Sequence, residues 1–102
     1  MRLDKYLKVT GIIKRRTLAA EACRRGLVKI NDVTAKVTRE VAAGDIIDIK
    51  LAHREMQIKV IKPVTGNSLK KALRPEYFTI LKDEKVSRDY DFDDFWKDNL
   101  EQ

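Results

Sequence analysis

The hydrophobic period of this chain changes at Gly26, and that change limits the fold more than any other feature. Before it, apolar residues recur at helical spacing. Leu3, Tyr6 and Leu7 share one face of a short helix over 2–10, and Leu18, Ala19, Ala22 and Cys23 form the stripe of a second. After it they alternate, first Val28 and Ile30, then Ile47, Ile49 and Leu51, then Met56, Ile58 and Val60. Gly11 and Gly26 are the stop signals of the two helices, Thr17 is the expected N-cap of the second, and Arg24 and Arg25 suit the negative end of its dipole. Asn31-Asp32, Gly44-Asp45 and His53-Arg54 supply the turns, with a short return strand within 33–37. The expected fold is therefore α+β: two N-terminal helices packed on a small, mainly antiparallel sheet, with a C-terminal extension.

Beyond the sheet the pattern is weaker. Residues 63–67 read as a loop, and Leu69, Ala72 and Leu73 as a helical turn that ends before Pro75. Tyr77, Phe78, Ile80 and Leu81 are expected to pack back onto the body. This gives three segments: a helix-and-sheet domain over 1–62, a packing segment over 63–88 and an acidic aromatic tail over 89–102. In the tail, Phe92, Phe95, Trp96 and Leu100 fall on one face of a short helix. Either those aromatics dock on the body, or the tail competes for the basic face or binds a partner protein.

Charge narrows the function. The net value of +6 conceals a polarity: residues 1–82 hold 19 Lys/Arg against 8 Asp/Glu, whereas 83–102 hold 3 against 8. A basic body of this kind favours polyanions. At 102 residues one core suffices without disulfides, and the single Cys23 allows no intramolecular one. The charged start, MRLDKYL, lacks the apolar run of a signal peptide, and no stretch approaches the roughly 18 apolar residues of a membrane span. A cytoplasmic protein with no membrane partner is expected. His53, the only histidine, has no Cys or His at ligand spacing, and Asp91, Asp93 and Asp94 lack the loop pattern of a calcium site. No metal, cofactor or catalytic group is expected.

The cations fall where helices 1 and 2 can gather them. Arg2, Lys5, Lys14, Arg15, Arg16, Arg25 and Lys29 are candidate phosphate ligands, Arg through its planar fork. Thr17 stands at the N-terminus of the second helix, where free N–H groups attract anions. Asn31 and Lys36 extend the surface along the hairpin. Asp4 is expected to orient Arg2, Arg16 or another neighbouring cation rather than to touch a polyanion itself. Leu3, Leu7, Leu18 and Ala22 are expected to pack the helices together, Cys23 to be a small core residue, and Tyr6 to pack rather than stack on bases.

The order Arg2-Leu3-Asp4-x-Tyr6-Leu7, Arg16-Thr17-x-Ala19, Gly26-x-Val28-x-Ile30-Asn31, Lys36 and Gly44-Asp45-x-Ile47 resembles the S4-type RNA-binding domain. Asp32 stands where that family usually has Gly, which leaves the turn type open. Residues 13–19 and 77–82 are most similar to the bacterial ribosome-quality-control type. The related small ribosome-binding heat-shock type usually has a basic extension where this chain is acidic. The resemblance implies a non-enzymatic factor that contacts large-subunit ribosomal RNA and peptidyl-tRNA on obstructed large subunits. It also implies work beside a tail-adding partner that extends stalled chains with alanine. A monomer is expected. The alternatives are a general ribosome-associated or ribosomal-RNA maturation factor, an accessory module of an RNA-modifying enzyme and, from charge alone, a DNA-binding module.

Overall fold

The computed structural model describes residues 1–51 and 54–85. Helices α1 (Leu3–Val9) and α2 (Arg16–Arg24) lead into β1 (Val28–Ile30), β2 (Val33–Thr34), β3 (Ile46–Lys50) and β4 (Arg54–Val60). A 3-10 turn (Lys71–Leu73), helix α3 (Arg74–Tyr77) and strand β5 (Phe78–Lys85) follow, to the end of the described residues. The sheet has five strands in the order β2-β1-β3-β4-β5, every neighbouring pair antiparallel. The expected class holds, and the strand at the far edge is new.

The helices end as glycine dictates. In α2 the Gly26 N–H donates to the Cys23 carbonyl at 3.1 Å and the Leu27 N–H to Ala22 at 3.0 Å, with Gly26 at φ 73°. This left-handed cap closes the last turn and aims the chain into β1. The start of α2 differs from expectation. Arg15, extended at φ −115°, is the N-cap and makes no side-chain capping bond. Thr17 therefore sits one residue inside the helix, because the extended-to-helical change falls two residues earlier than the capping preference of threonine suggests.

Asn31 and Asp32 have φ 52° and 68°, and Ile30 pairs directly with Val33. Two positive-φ residues in a two-residue hairpin make a type I′ turn, whose twist matches the flanking strands. The side chain of Asn31 also bridges this turn to the next one. Its Nδ2 donates to Asp45 Oδ1 at 3.1 Å, and its Oδ1 accepts the Ile46 N–H at 3.0 Å. Asp45 is itself buried and accepts the Ala42 N–H at 2.8 Å. The two turns are thus welded through one amide–carboxylate contact.

The core lies between the helix pair and one sheet face. Leu3, Leu7, Leu18 and Ala22 join Val28, Ile30, Ile47, Ile49, Met56, Ile58 and Val60 in it, with Cys23 and Tyr6 also enclosed. The N-terminus is bound in as well: the Met1 ammonium pairs with Glu40 at 2.7 Å, and the Leu3 N–H donates to the Arg39 carbonyl at 2.8 Å.

Three local expectations change beyond residue 53. Arg54 opens β4 rather than lying in a polar break. The helical turn does not stop before Pro75, because Pro75 occupies the first turn of α3, where its missing N–H costs nothing. Phe78 is buried and Tyr77 packs against the core, but Ile80 and Leu81 are half exposed, since β5 is an edge strand with only its start tucked under the body. His53 and the acidic tail over 89–102 lie outside the described residues.

Candidate nucleic-acid interface

Packing of α1 against α2 brings Arg2 and Arg16, at the starts of the two helices, to one buried acid. Asp4 is only 4% exposed. Its Oδ1 lies 3.4 Å from Arg2 Nε and its Oδ2 lies 3.3 Å from Arg16 Nε. The Lys5 backbone N–H donates to Oδ1 at 2.8 Å. A carboxylate taken out of water must be paired and hydrogen-bonded, so Asp4 holds both arginines in place. Each arginine side chain remains nearly half exposed, 45% for Arg2 and 49% for Arg16. Asp4 thus fixes the Nε side of two forks whose accessible atoms can meet phosphate oxygens. The sequence-based role of Asp4 as an orienting group is what the geometry shows.

The same corner carries Lys14, Arg15 and Thr17, all exposed, at the start of α2. The first-turn N–H groups of a helix lack intrahelical acceptors and carry the positive end of its dipole, so an anion is favoured beside Arg16. Lys5 is partly exposed one residue after Asp4. Arg25 lies at the other end of α2, roughly 13 Å away at 1.5 Å per residue. It and Arg24 both pair with Glu21, at 3.3 and 3.4 Å. Lys29 is exposed on β1 and Lys36 after β2. Asn31 is engaged within the protein by both polar atoms of its side chain, which makes it a builder of the surface more than a ligand.

The predicted residues therefore form a compact group around Asp4 and a looser set along the α2 C-terminus and hairpin. Sequence reasoning missed Arg39, Lys71 and Arg74. Arg39 reaches Asp45 at 3.4 Å, beside the strand-like contact with Leu3. Arg74 packs against Gly11, where a Cβ would fall 2.1 Å from its Nη2. These come from parts of the chain remote in sequence, and no local pattern marks them.

Tyr6 is enclosed, so it packs and offers no stacking face; burial raises its hydroxyl well above the usual tyrosine value. Burial likewise pushes the Cys23 thiol up to about 11, with Asp4 adding to the effect and Arg24 opposing it. Among the described residues no cluster of three or more His, Cys, Asp or Glu side chains could hold a metal ion, and no helix is long and apolar enough to cross a membrane.

Residues 1–47 match the model of the S4 domain. Over 84% of its length the chain is 41% identical to the RQC P-site tRNA stabilizing factor of Listeria innocua, covering 91% of that protein. It is 40% identical to the protein of that name from Bacillus subtilis, covering 98% of it. The trimeric structure of Vibrio cholerae Heat Shock Protein 15 superposes with a TM-score of 0.72 at 26% identity, over 78% of this chain and 80% of that one.

Proposed function

The chain belongs to the S4-domain family that includes the RQC P-site tRNA stabilizing factors, and from that premise we propose that it is a non-enzymatic RNA-binding factor of obstructed large ribosomal subunits. Its substrate is folded RNA: large-subunit ribosomal RNA on one side and the peptidyl-tRNA on the other. The observation that carries the reading is the Arg2–Asp4–Arg16 group at the start of α2. A buried acid orders two cations before RNA arrives, so little side-chain freedom is lost on binding. A-form RNA hides its base edges in a deep, narrow groove, so a preset pair of guanidinium forks suits its backbone.

In this reading the protein does no bond chemistry. It steadies the tRNA while a tail-adding partner extends the stalled chain with alanine, and it acts as a monomer. Lys5, Lys14, Arg15, Thr17, Arg25, Lys29, Asn31 and Lys36 widen the RNA footprint around the central pair, and the unit that binds is the domain over 1–62.

The test is recovery of the protein from cells in mild salt, with its tag away from the Glu40-paired Met1 amine, followed by sequencing of bound RNA. Large-subunit RNA with tRNA, depleted of small-subunit RNA and lost in the Arg2→Ala/Arg16→Ala double variant, is expected. Equal recovery of both subunits would replace this reading with a general ribosome-associated factor. No enrichment of RNA at all would remove it.

A further inference from the structure

An open groove of about 620 Å³ runs beside the RNA face. One wall is the turn between α1 and α2, the other is formed by the 3-10 turn, α3 and β5. Ile12, Phe78 and Ile80 give it an apolar lining, Lys14, Lys71 and Arg74 stand along it, and its one acid, Asp83, is paired with Arg54 at 3.1 Å. Ile80 is 51% exposed, a large aliphatic side chain facing solvent inside a concavity. Arg74 Nε is buried with no hydrogen-bond partner among the described residues. An apolar channel with cations along its edges fits a ligand that is both aromatic and acidic.

The chain carries such a segment. Residues 86–102, outside the described structure, contain Asp89, Asp91, Asp93, Asp94, Asp98 and Glu101 against only Arg88 and Lys97. Tyr90, Phe92, Phe95 and Trp96 alternate with those acids. The connection is short. Lys85, the last residue of β5, pairs with Arg54, and Arg54 lines the groove. From Lys85 to Phe92 an extended chain spans up to roughly 25 Å, comparable with the smaller dimensions of the body, so the aromatics reach the groove without strain.

We propose that residues 86–102 occupy this groove in their own molecule, setting aromatic rings on Ile12, Phe78 and Ile80 and carboxylates against Lys14, Lys71 and Arg74. Lys14 belongs to both the groove and the candidate RNA face. The docked tail then withdraws a cation from RNA and places negative charge at the edge of its path. RNA and tail compete, and the chain carries its own brake on binding. Docking itself does not depend on the RNA reading; only the competition rests on it.

Trp96, the only tryptophan, reports on the tail directly. Its emission and acrylamide quenching are measured in the full chain, in an Ile80→Glu/Lys71→Glu variant and in a peptide of residues 86–102. Both substituted residues are exposed, so the core is untouched, and circular dichroism checks the fold. Docking predicts a blue-shifted, shielded Trp96 in the full chain and peptide-like values in the variant. Peptide-like values in the full chain overturn docking. A shielded Trp96 indifferent to the groove substitutions overturns the groove as its place. Shielding that weakens on dilution assigns the groove to the tail of a second copy and overturns the intramolecular form. Removal of 86–102 is expected to raise affinity for structured RNA several-fold, about the effect of restoring one phosphate contact. Unchanged affinity with a docked Trp96 overturns the competition and leaves docking and RNA binding standing.

Discussion

Two acids in this molecule each hold a pair of arginines, and the resemblance stops there. Asp4 is buried and joins Arg2, the residue before α1, to Arg16, the first residue of α2. Glu21 is 39% exposed in its side chain and joins Arg24 and Arg25, its neighbours three and four residues on in the same stretch of chain. The distances are nearly equal, 3.3 to 3.4 Å in every case. What differs is solvent. Water screens the Glu21 pairs, and pairs of that spacing contribute only about 0.3–0.5 kcal/mol in exposed helices. Asp4 has no water to fall back on, so its pairs are obligatory and set tertiary geometry as well as local charge. Similar ion-pair distances thus describe a positioned candidate RNA site at one end of α2 and a surface charge pattern at the other.

The largest expected effect separates the arginines themselves. Arg2→Ala/Arg16→Ala should weaken binding to structured RNA by about 100-fold, from charge-assisted bonds of roughly 1.5 kcal/mol each, and reduce the salt slope by about 2. Arg24→Ala/Arg25→Ala should cost no more than about tenfold, through the peripheral contact of Arg25 and screened long-range attraction. Filter binding across a salt series measures both. Equal losses would abolish the distinction drawn here.

Next come the acids. Asp4→Ala is expected to cost about 2 kcal/mol of unfolding free energy and to lower RNA affinity even though it adds net positive charge. Glu21→Ala should stay within about 0.5 kcal/mol and leave affinity unchanged or slightly raised. Urea titration together with RNA binding decides, and a rise in affinity for Asp4→Ala would show that charge outweighs order.

A smaller effect reads both regions from one atom. The Cys23 thiol, pushed up to about 11 from 9.0 by burial and then by Asp4, is lowered in turn by Arg24. Asp4→Asn should bring its titration down and Arg24→Ala should move it further up, seen in the pH dependence of alkylation rate. The folded thiol binds its proton more tightly than the unfolded one. Its contribution to stability is therefore complete below pH 9 and declines as pH rises toward 11.

The smallest change is remote from both acids. Asp32→Gly relieves a positive φ of 68° that glycine adopts freely, and should add about 0.5 kcal/mol after the greater entropy of the unfolded glycine chain is subtracted. RNA affinity should not move; a loss would extend the positioned site to the hairpin.

The helices, the first four strands and the glycine stops were legible because each rests on local periodicity or on a backbone angle that few residues accept. The pairing of Asp4 with Arg2 and Arg16 was legible too, since a lone acid at a helix start among cations must be neutralised when its flanks are apolar. Strand β5 was not. Its run of Phe78, Thr79, Ile80 and Leu81 followed by four charges has no alternation, and it is a strand because β4 offers an edge to pair with. Thr17 misled because capping preference is weaker than the tertiary packing that fixed where α2 begins. Arg74 was hidden for a different reason: its place beside Gly11 is set by the path of residues 61–73, whose local pattern shows a loop and a helical turn but not where they lead.

The two edges of the sheet end it in different ways. At one, β2 is only two residues long and offers a neighbouring molecule too few backbone groups to hold. At the other, β5 is eight residues long, enough to template another strand, but it closes with Lys82, Asp83, Glu84 and Lys85 in solvent. An incoming strand would have to desolvate and match that run of charges. Solubility of this protein at high concentration is thus set at one edge by brevity and at the other by electrostatics, and only the second responds to salt.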